Sequence, residues 1–129
     1  VKFVDVSESA NIEDAGTGMG ITWGDFDRDG LMDAYVSNMF SAACNRITFQ
    51  DKFKTQAAPE IKQRIQRLAR GNTLLKNAGD GKFLDISSTS GAEMGRWSWA
   101  SLFSDLNNDG WEDLIVANGY ITADDSGDL

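Results

Sequence analysis

The chain contains no histidine, which removes the usual zinc ligand and the commonest general base together. Nucleophilic triads that rely on an imidazole are excluded with it. The single cysteine, Cys44, rules out an intrachain disulfide. No apolar run approaches the roughly 18–20 residues needed to span a bilayer. Basic residues are also few: 12 Lys and Arg stand against 20 Asp and Glu, for a formal net charge of −8. Nucleic acid and anionic membranes are therefore unexpected partners. The opening VKFVDVSES carries neither an initiator methionine nor a signal peptide, the pattern expected of a mature product or an excised fragment.

What is present fits one ordinary globular domain: 129 residues, 41% hydrophobic and 25% charged. The charge is unevenly spread. Nine of the twelve basic residues lie between Arg46 and Lys82, leaving acidic flanks whose carboxylates crowd into two short clusters. Like charges at that spacing repel, so the folded state needs a cation or heavy solvation there.

An internal repeat organises the sequence. An offset of 80 residues places Lys2-Phe3-Val4-Asp5-Val6-Ser7 on Lys82-Phe83-Leu84-Asp85-Ile86-Ser87. The same offset, without a gap, places Asp25–Gly30 on Asp105–Gly110, Asp33 on Asp113, Val36 on Val116 and Asn38 on Asn118. Each copy reads as a short strand (Phe3 to Val6, Phe83 to Ile86), then a second strand (Ile21 to Phe26, Trp97 to Leu106). The acidic loop follows, then a third strand (Ala34 to Ser37, Leu114 to Ala117). Leu74-Leu75-Lys76 and Lys82-Phe83-Leu84 flank a Gly-rich turn and read as a hairpin. The boundaries expected are a first repeat over 1–39, a helix-containing insertion over 40–73 and a second repeat over 74–129. Within the insertion, Pro59 suits a first helical position, Ile61, Ile65 and Leu68 follow helical spacing, and Gly71-Asn72 supplies a stop. Lys62, Arg64, Arg67 and Arg70 make that helix basic, as a solvated face over the sheet edge or as a docking surface for an acidic partner.

The acidic loops carry the chemistry. Asp25-x-Asp27-x-Asp29-Gly30-x-x-Asp33 has the spacing of a tight calcium loop: side chains at positions 1, 3 and 5 converge, and glycine at 6 permits the sharp turn. Position 7 offers a backbone carbonyl, that of Leu31, and Asp33 closes the shell. The second loop repeats this with Asp105, Asn107, Asp109, the carbonyl of Trp111, and Asp113. All-oxygen ligation argues against zinc, copper and iron, and magnesium wants a stricter octahedron. Two Ca2+ sites are therefore expected, with polar turn decoration as the bland alternative. An EF-hand or a dockerin needs a polar ligand at position 12, where Val36 and Val116 stand. Thrombospondin-type repeats need regular cysteines.

The runs Asp25 to Asn38 and Asp105 to Gly119 resemble the FG-GAP/VCBS repeat of integrin-α-type β-propellers. The Leu74 to Phe83 hairpin and Trp97-Ser98-Trp99 are similar to its cartilage-acidic-protein/UnbV-like branch. This similarity covers about two thirds of the chain and leaves Phe40 to Arg70 aside; literal Phe-Gly and Gly-Ala-Pro elements are absent. The resemblance implies a mostly β fold of antiparallel β-propeller-type blades, about two of them and an incomplete propeller, with one short helical insertion. It further implies calcium at the blade hairpins, an extracellular, cell-surface or periplasmic setting, and no catalysis. A closed propeller needs at least four blades, so homo-association head-to-tail or the remainder of a longer propeller is the expected partner, alongside an unidentified protein or glycan ligand. The alternative is a propeller fragment of a secreted calcium-dependent enzyme acting on polysaccharide or phosphoester.

Other residues have plain readings. Trp23, Trp97, Trp99 and Trp111 are expected in core and blade-to-blade packing rather than as sugar-stacking platforms. Cys44 is expected to be buried or incidental. The Asp124–Asp128 cluster reads as an acidic terminus rather than as further ligands.

Overall fold

In both copies, the strand before the acidic loop folds back on the apolar strand after it. In a computed structural model describing residues 2–119, β1 (Gly18–Gly24) pairs antiparallel with β2 (Asp33–Asn38), and β5 (Ser98–Ser104) with β6 (Asp113–Asn118). The acidic stretch 124–128 lies outside the described residues. The 80-residue offset holds in detail: Trp23 faces Ala34 as Phe103 faces Leu114, and register shifts recur at Gly18/Gly20 and Ser98/Ala100. Gly30 and Gly110 adopt φ of 86° and 85°, a left-handed conformation that side chains with a Cβ rarely take.

The expected Gly-turn hairpin forms from β3 (Thr73–Gly79) and β4 (Lys82–Asp85). β3 also pairs with β2 across the insertion, giving a four-stranded antiparallel sheet in the order β1-β2-β3-β4 beside the two-stranded sheet β5-β6. The two sheets pack through Tyr35, Leu74 and Phe103, with Phe26, Ile86, Ala92, Leu114 and Val116 around them. Phe103 stacks on Phe26 and meets Tyr35 edge-on, both at 6.4 Å between ring centroids. Gly24 lets the sheets approach, since a Cβ there would lie 2.6 Å from the Phe103 ring. Tyr35 donates its hydroxyl to the Ala92 carbonyl at 2.8 Å, and burial pushes its phenol up to about 12.

The chain is more helical than one short insertion implies. Among the described residues four helices occur: α1 (Ser7–Ala10), α2 (Ala42–Thr48), α3 (Pro59–Arg70) and α4 (Ser87–Ser90). The fold is thus mixed but strand-rich, and its two sheets do not close into a propeller among the described residues. The expected strand from Phe3 to Val6 does not form, and Phe3 is 92% exposed. Its counterpart Phe83 is in a strand because β3 lies beside it; no strand lies beside residues 3–6 among those described. Downstream the copies agree again. Asp5 and Asp85 each accept from the amide of Ser7 or Ser87, and the short helices that follow end at left-handed Asn11 and Gly91.

α3 starts with Pro59 at its first turn and stops at Gly71, whose φ is 119°. Its last turns face inward. Arg67 pairs with Asp14 at 2.8 Å and approaches Asp85 at 3.5 Å, while Arg70 reaches Asp85 at 2.7 Å and Glu93 at 3.1 Å. The acidic partner of these two arginines therefore belongs to the same chain. Around them Asn38 donates to Asp14 and Thr73, and its amide donates to Asn72, which donates to Ser98. This buried polar network ties α3 to β2, β3 and β5.

Candidate metal centre

Loop 1 leaves β1 at Gly24 and returns into β2 at Asp33, so both ends of the acidic run are held by the hairpin ladder. Asp25 closes the turn, accepting from the amides of Asp29 and Gly30, each at 3.0 Å. Asp29 accepts from the amide of Leu31 at 2.9 Å, placing that exposed residue at the seventh position. The result is a cluster: one carboxylate oxygen from each of Asp25, Asp27 and Asp29 lies within 4.8 Å of the others.

Asp33 stands beneath this cluster with 0% of its surface exposed. One of its oxygens accepts from the Asn77 amide at 2.7 Å; the other, like Oδ1 of Asp27, is buried without a close hydrogen bond, the Phe26 amide acting on the Asp33 carboxylate only weakly. Burial pushes the Asp33 carboxyl up, the Asn77 amide pulls it back, and the charges of Asp27 and Asp29 raise it further. Two orphaned carboxylate oxygens beside three converging carboxylates are what a hard divalent cation would satisfy. Asp25, Asp27 and Asp29 thus form a site that can hold a metal ion, and Asp33 fits beside them.

Two residues that sequence spacing did not reveal complete the surroundings. Lys76 of β3 forms an ion pair with Asp27 and lies 3.5 Å from Asp29, and the bond to Asp27 holds its ammonium above the usual range. Asn77 braces the loop twice, through Asp33 and through a 3.0 Å bond to the Met32 carbonyl. Both belong to the Gly-turn hairpin, whose Lys-Asn pair was the available signal.

Loop 2 repeats the turn with an amide where loop 1 has its middle carboxylate. Asp105 accepts from the amides of Asp109 and Gly110 at 3.1 and 2.8 Å, and Asp109 from that of Trp111 at 2.8 Å. Asn107 donates to Asp109 at 2.9 Å, and Asp113 accepts from the Leu106 amide at 3.1 Å. The Trp111 amide, then Asn107, hold the Asp109 carboxyl below its usual value. Its three carboxylates are not gathered as those of loop 1 are; among the described residues the loop 1 trio is the one such group. The neutral Asn107 at the middle position is the difference.

The tryptophans depart from the core expectation. Trp23, Trp99 and Trp111 are 46%, 49% and 50% exposed. Each sits at an edge of the packing: Trp23 edge-on to Phe83, Trp99 donating to the Gly119 carbonyl, and Trp111 beneath Arg28 at 5.2 Å. The Arg28–Trp111 contact brings loop 1 against loop 2, which sequence alone keeps 80 residues apart. Trp97 lines an apolar cleft of about 390 Å³ with Met39, Phe40, Ile47 and Leu68. Cys44 is exposed at the same cleft, not buried, and among the described residues no carboxylate lines it.

No curated protein and no solved structure matches the chain significantly. A family model does match, over residues 66–116. The match takes in the last turn of α3, which lies inside the stretch set aside as unrelated, then the β3–β4 hairpin, loop 2 and most of β6. It stops short of loop 1, which is joined to it by the 80-residue offset. Residues 66–116 are thus an FG-GAP-like repeat.

Proposed function

We propose that this chain is a non-enzymatic, calcium-binding structural or adhesive module of an extracellular, cell-surface or periplasmic protein. Asp25, Asp27, Asp29 and Asp33, with the Leu31 carbonyl, would hold one ion. Asp105, Asn107, Asp109 and Asp113, with the Trp111 carbonyl, would hold a second. The observation that carries this reading is the pair of unpartnered buried oxygens, on Asp27 and Asp33, beside the converging carboxylates of loop 1. A bound calcium ion supplies charge neutralisation and cross-links the turn to β2. The chain's own part is to present hard oxygens at hairpin ends braced by Asn77. The cartilage-acidic-protein/UnbV-like likeness of the hairpin and of the Trp97-Ser98-Trp99 run points the same way. The enzyme alternative is less favoured, because the acidic groups near loop 1 are drawn to one point and the apolar cleft holds none.

Thermal unfolding tests this. Extracellular modules bind calcium at roughly 10⁻⁴–10⁻³ M, so about 10 mM calcium adds roughly 1.5–3 kcal/mol per site by mass action. The melting temperature is expected to rise by several degrees, to fall back with EDTA, and to respond less to magnesium. A melting temperature indifferent to calcium overturns the reading.

The module is further proposed to stack on copies of itself. The outward face of β1–β2 carries Ile21 and Trp23, 55% and 46% exposed, at positions equivalent to Ser101 and Phe103, which pack on Tyr35 and Leu74 within the chain. The outward face of β5–β6 carries Leu102 and Ile115, equivalent to Thr22 and Tyr35. One copy's outer β5–β6 face would therefore seat on the next copy's outer β1–β2 face, a head-to-tail contact.

A further inference from the structure

Lys76 stands 49 residues beyond Asp27, yet its ammonium is delivered into loop 1. The delivery is built into the fold. Asn77, the next residue, is fixed against the loop by its amide bond to Asp33 and its side-chain bond to Met32, so the root of Lys76 cannot drift away. From there the ammonium bonds to Oδ2 of Asp27 and lies 3.5 Å from Oδ2 of Asp29, two of the three clustered carboxylates. Among the described residues loop 2 has no counterpart: Oδ2 of Asp109 accepts from the neutral Asn107 amide, and no ion pair there ends on Asp105, Asp109 or Asp113.

We propose that Lys76 is an internal counter-ion that competes with the divalent cation for loop 1 and so weakens cation binding there. This rests on the reading of the loops as cation sites. Carboxylate count alone, four against three, would make loop 1 the tighter site. Competition from Lys76 trims that advantage, because a divalent ion must either displace the ammonium from Asp27 and Asp29 or bind through fewer oxygens. The same lysine supplies a positive charge that offsets carboxylate repulsion when no ion is bound. Loop 1 would then be a site that folds without metal and fills at a higher cation concentration than its carboxylates alone would set.

A rival role is that of a brace, in which Lys76 shapes the loop for the ion. The two roles predict opposite signs, and calorimetric calcium titration of the full chain separates them. With loop 2 disabled by Asn107→Ala and Asp109→Ala, Lys76→Gln is expected to tighten calcium binding at loop 1 about three- to tenfold, the size of one partly exposed ion pair. Lys76→Arg is expected to stay near the parent. In EDTA, Lys76→Gln is expected to melt below the parent. With loop 1 disabled instead, by Asp27→Ala and Asp29→Ala, calorimetric calcium titration of loop 2 is expected to be unchanged by Lys76→Gln. Unchanged or weaker calcium binding by Lys76→Gln at loop 1, while the parent binds, overturns the competition and leaves the calcium reading standing. No calcium binding by any variant, parent included, overturns both. If Lys76→Gln unfolds, Lys76→Met, which keeps the aliphatic stem against the strand, carries the same comparison.

Discussion

Asp33 is a buried carboxylate whose charge depends on what its neighbours carry. Its carboxyl is raised above the ordinary 3.8, first by burial and then by Asp27 and Asp29, against the pull of the Asn77 amide. In the unfolded chain it titrates near the ordinary value, so on acidification the folded state takes up this proton first. The folded state then binds more protons than the unfolded one, and this contribution to stability rises as pH falls through the raised value. Asp85 acts in the opposite sense and lower down. Burial raises it, but bonds from Ser87 and the charge of Arg70 leave it below 3.8, so its contribution is lost only as pH falls through that lower value. With no histidine in the chain, no imidazole titration overlies that of Asp33. In EDTA the urea midpoint is expected to rise as pH falls from neutrality through the raised Asp33 value, and Asp33→Asn is expected to remove the rise, as is saturating calcium. A midpoint that falls steadily from pH 7 contradicts the assignment. At this scale the sequence was most informative where ligands lie close together: Asp25, Asp27 and Asp29 converge as their spacing implied. Lys76 and Asn77 were not legible as part of the site, because their approach depends on β3 pairing with β2 across the insertion.

At the scale of elements, whatever repeats was readable. The 80-residue offset foretold both hairpins and reaches the bulges and the left-handed residues. Periodicity foretold α3, from Pro59 to Arg70. What failed was the strand at residues 3–6, because a strand needs a neighbour and only the second copy has one among the described residues. The basic face of α3 was also misjudged, since a helical projection does not show which arginines meet carboxylates folded in from elsewhere. Arg67 and Asp14, with side chains 17% and 12% exposed, anchor α3 to the loop before β1. Removing one member leaves the other a largely buried charge without its closest opposite charge, while Thr73 and Asn38 still bond to each other. Arg67→Ala is therefore expected to cost about 3 kcal/mol in urea unfolding. Asp14→Ala combined with Arg67→Met is expected to cost clearly less than the two single changes added together. Strict additivity would mean that the pair is not coupled and that α3 is held by packing alone. Lys62 and Arg64 remain on the outward side for any acidic partner.

For the whole molecule, the offset also predicts which surfaces can repeat. The inner face of β5–β6 covers Tyr35 and Leu74, and the equivalent residues in the first copy, Ile21, Trp23, Ala34 and Val36, form the outer face of the larger sheet. Ala34 is fully buried there, yet Ile21 and Trp23 stay largely open. At the far end, Leu102 is 55% exposed on the face that corresponds to the covered side of β1–β2. These two ends are unlike, so stacking through them would add subunits in one direction rather than build a closed two-fold dimer. Sedimentation of the parent chain is expected to show species that grow with concentration. Trp23→Lys removes one end and Leu102→Lys the other, so each variant alone is expected to stay monomeric. Mixed in equal amounts, the Leu102→Lys variant's intact β1–β2 face can take the Trp23→Lys variant's intact β5–β6 face. The contact cannot propagate further, and the mixture is expected to stop at a one-to-one dimer. A parent chain that remains monomeric at about 100 µM, far above the Kd of a stable protein interface, would show that these faces do not meet each other. Growth that survives either lysine would place the contact elsewhere on the surface.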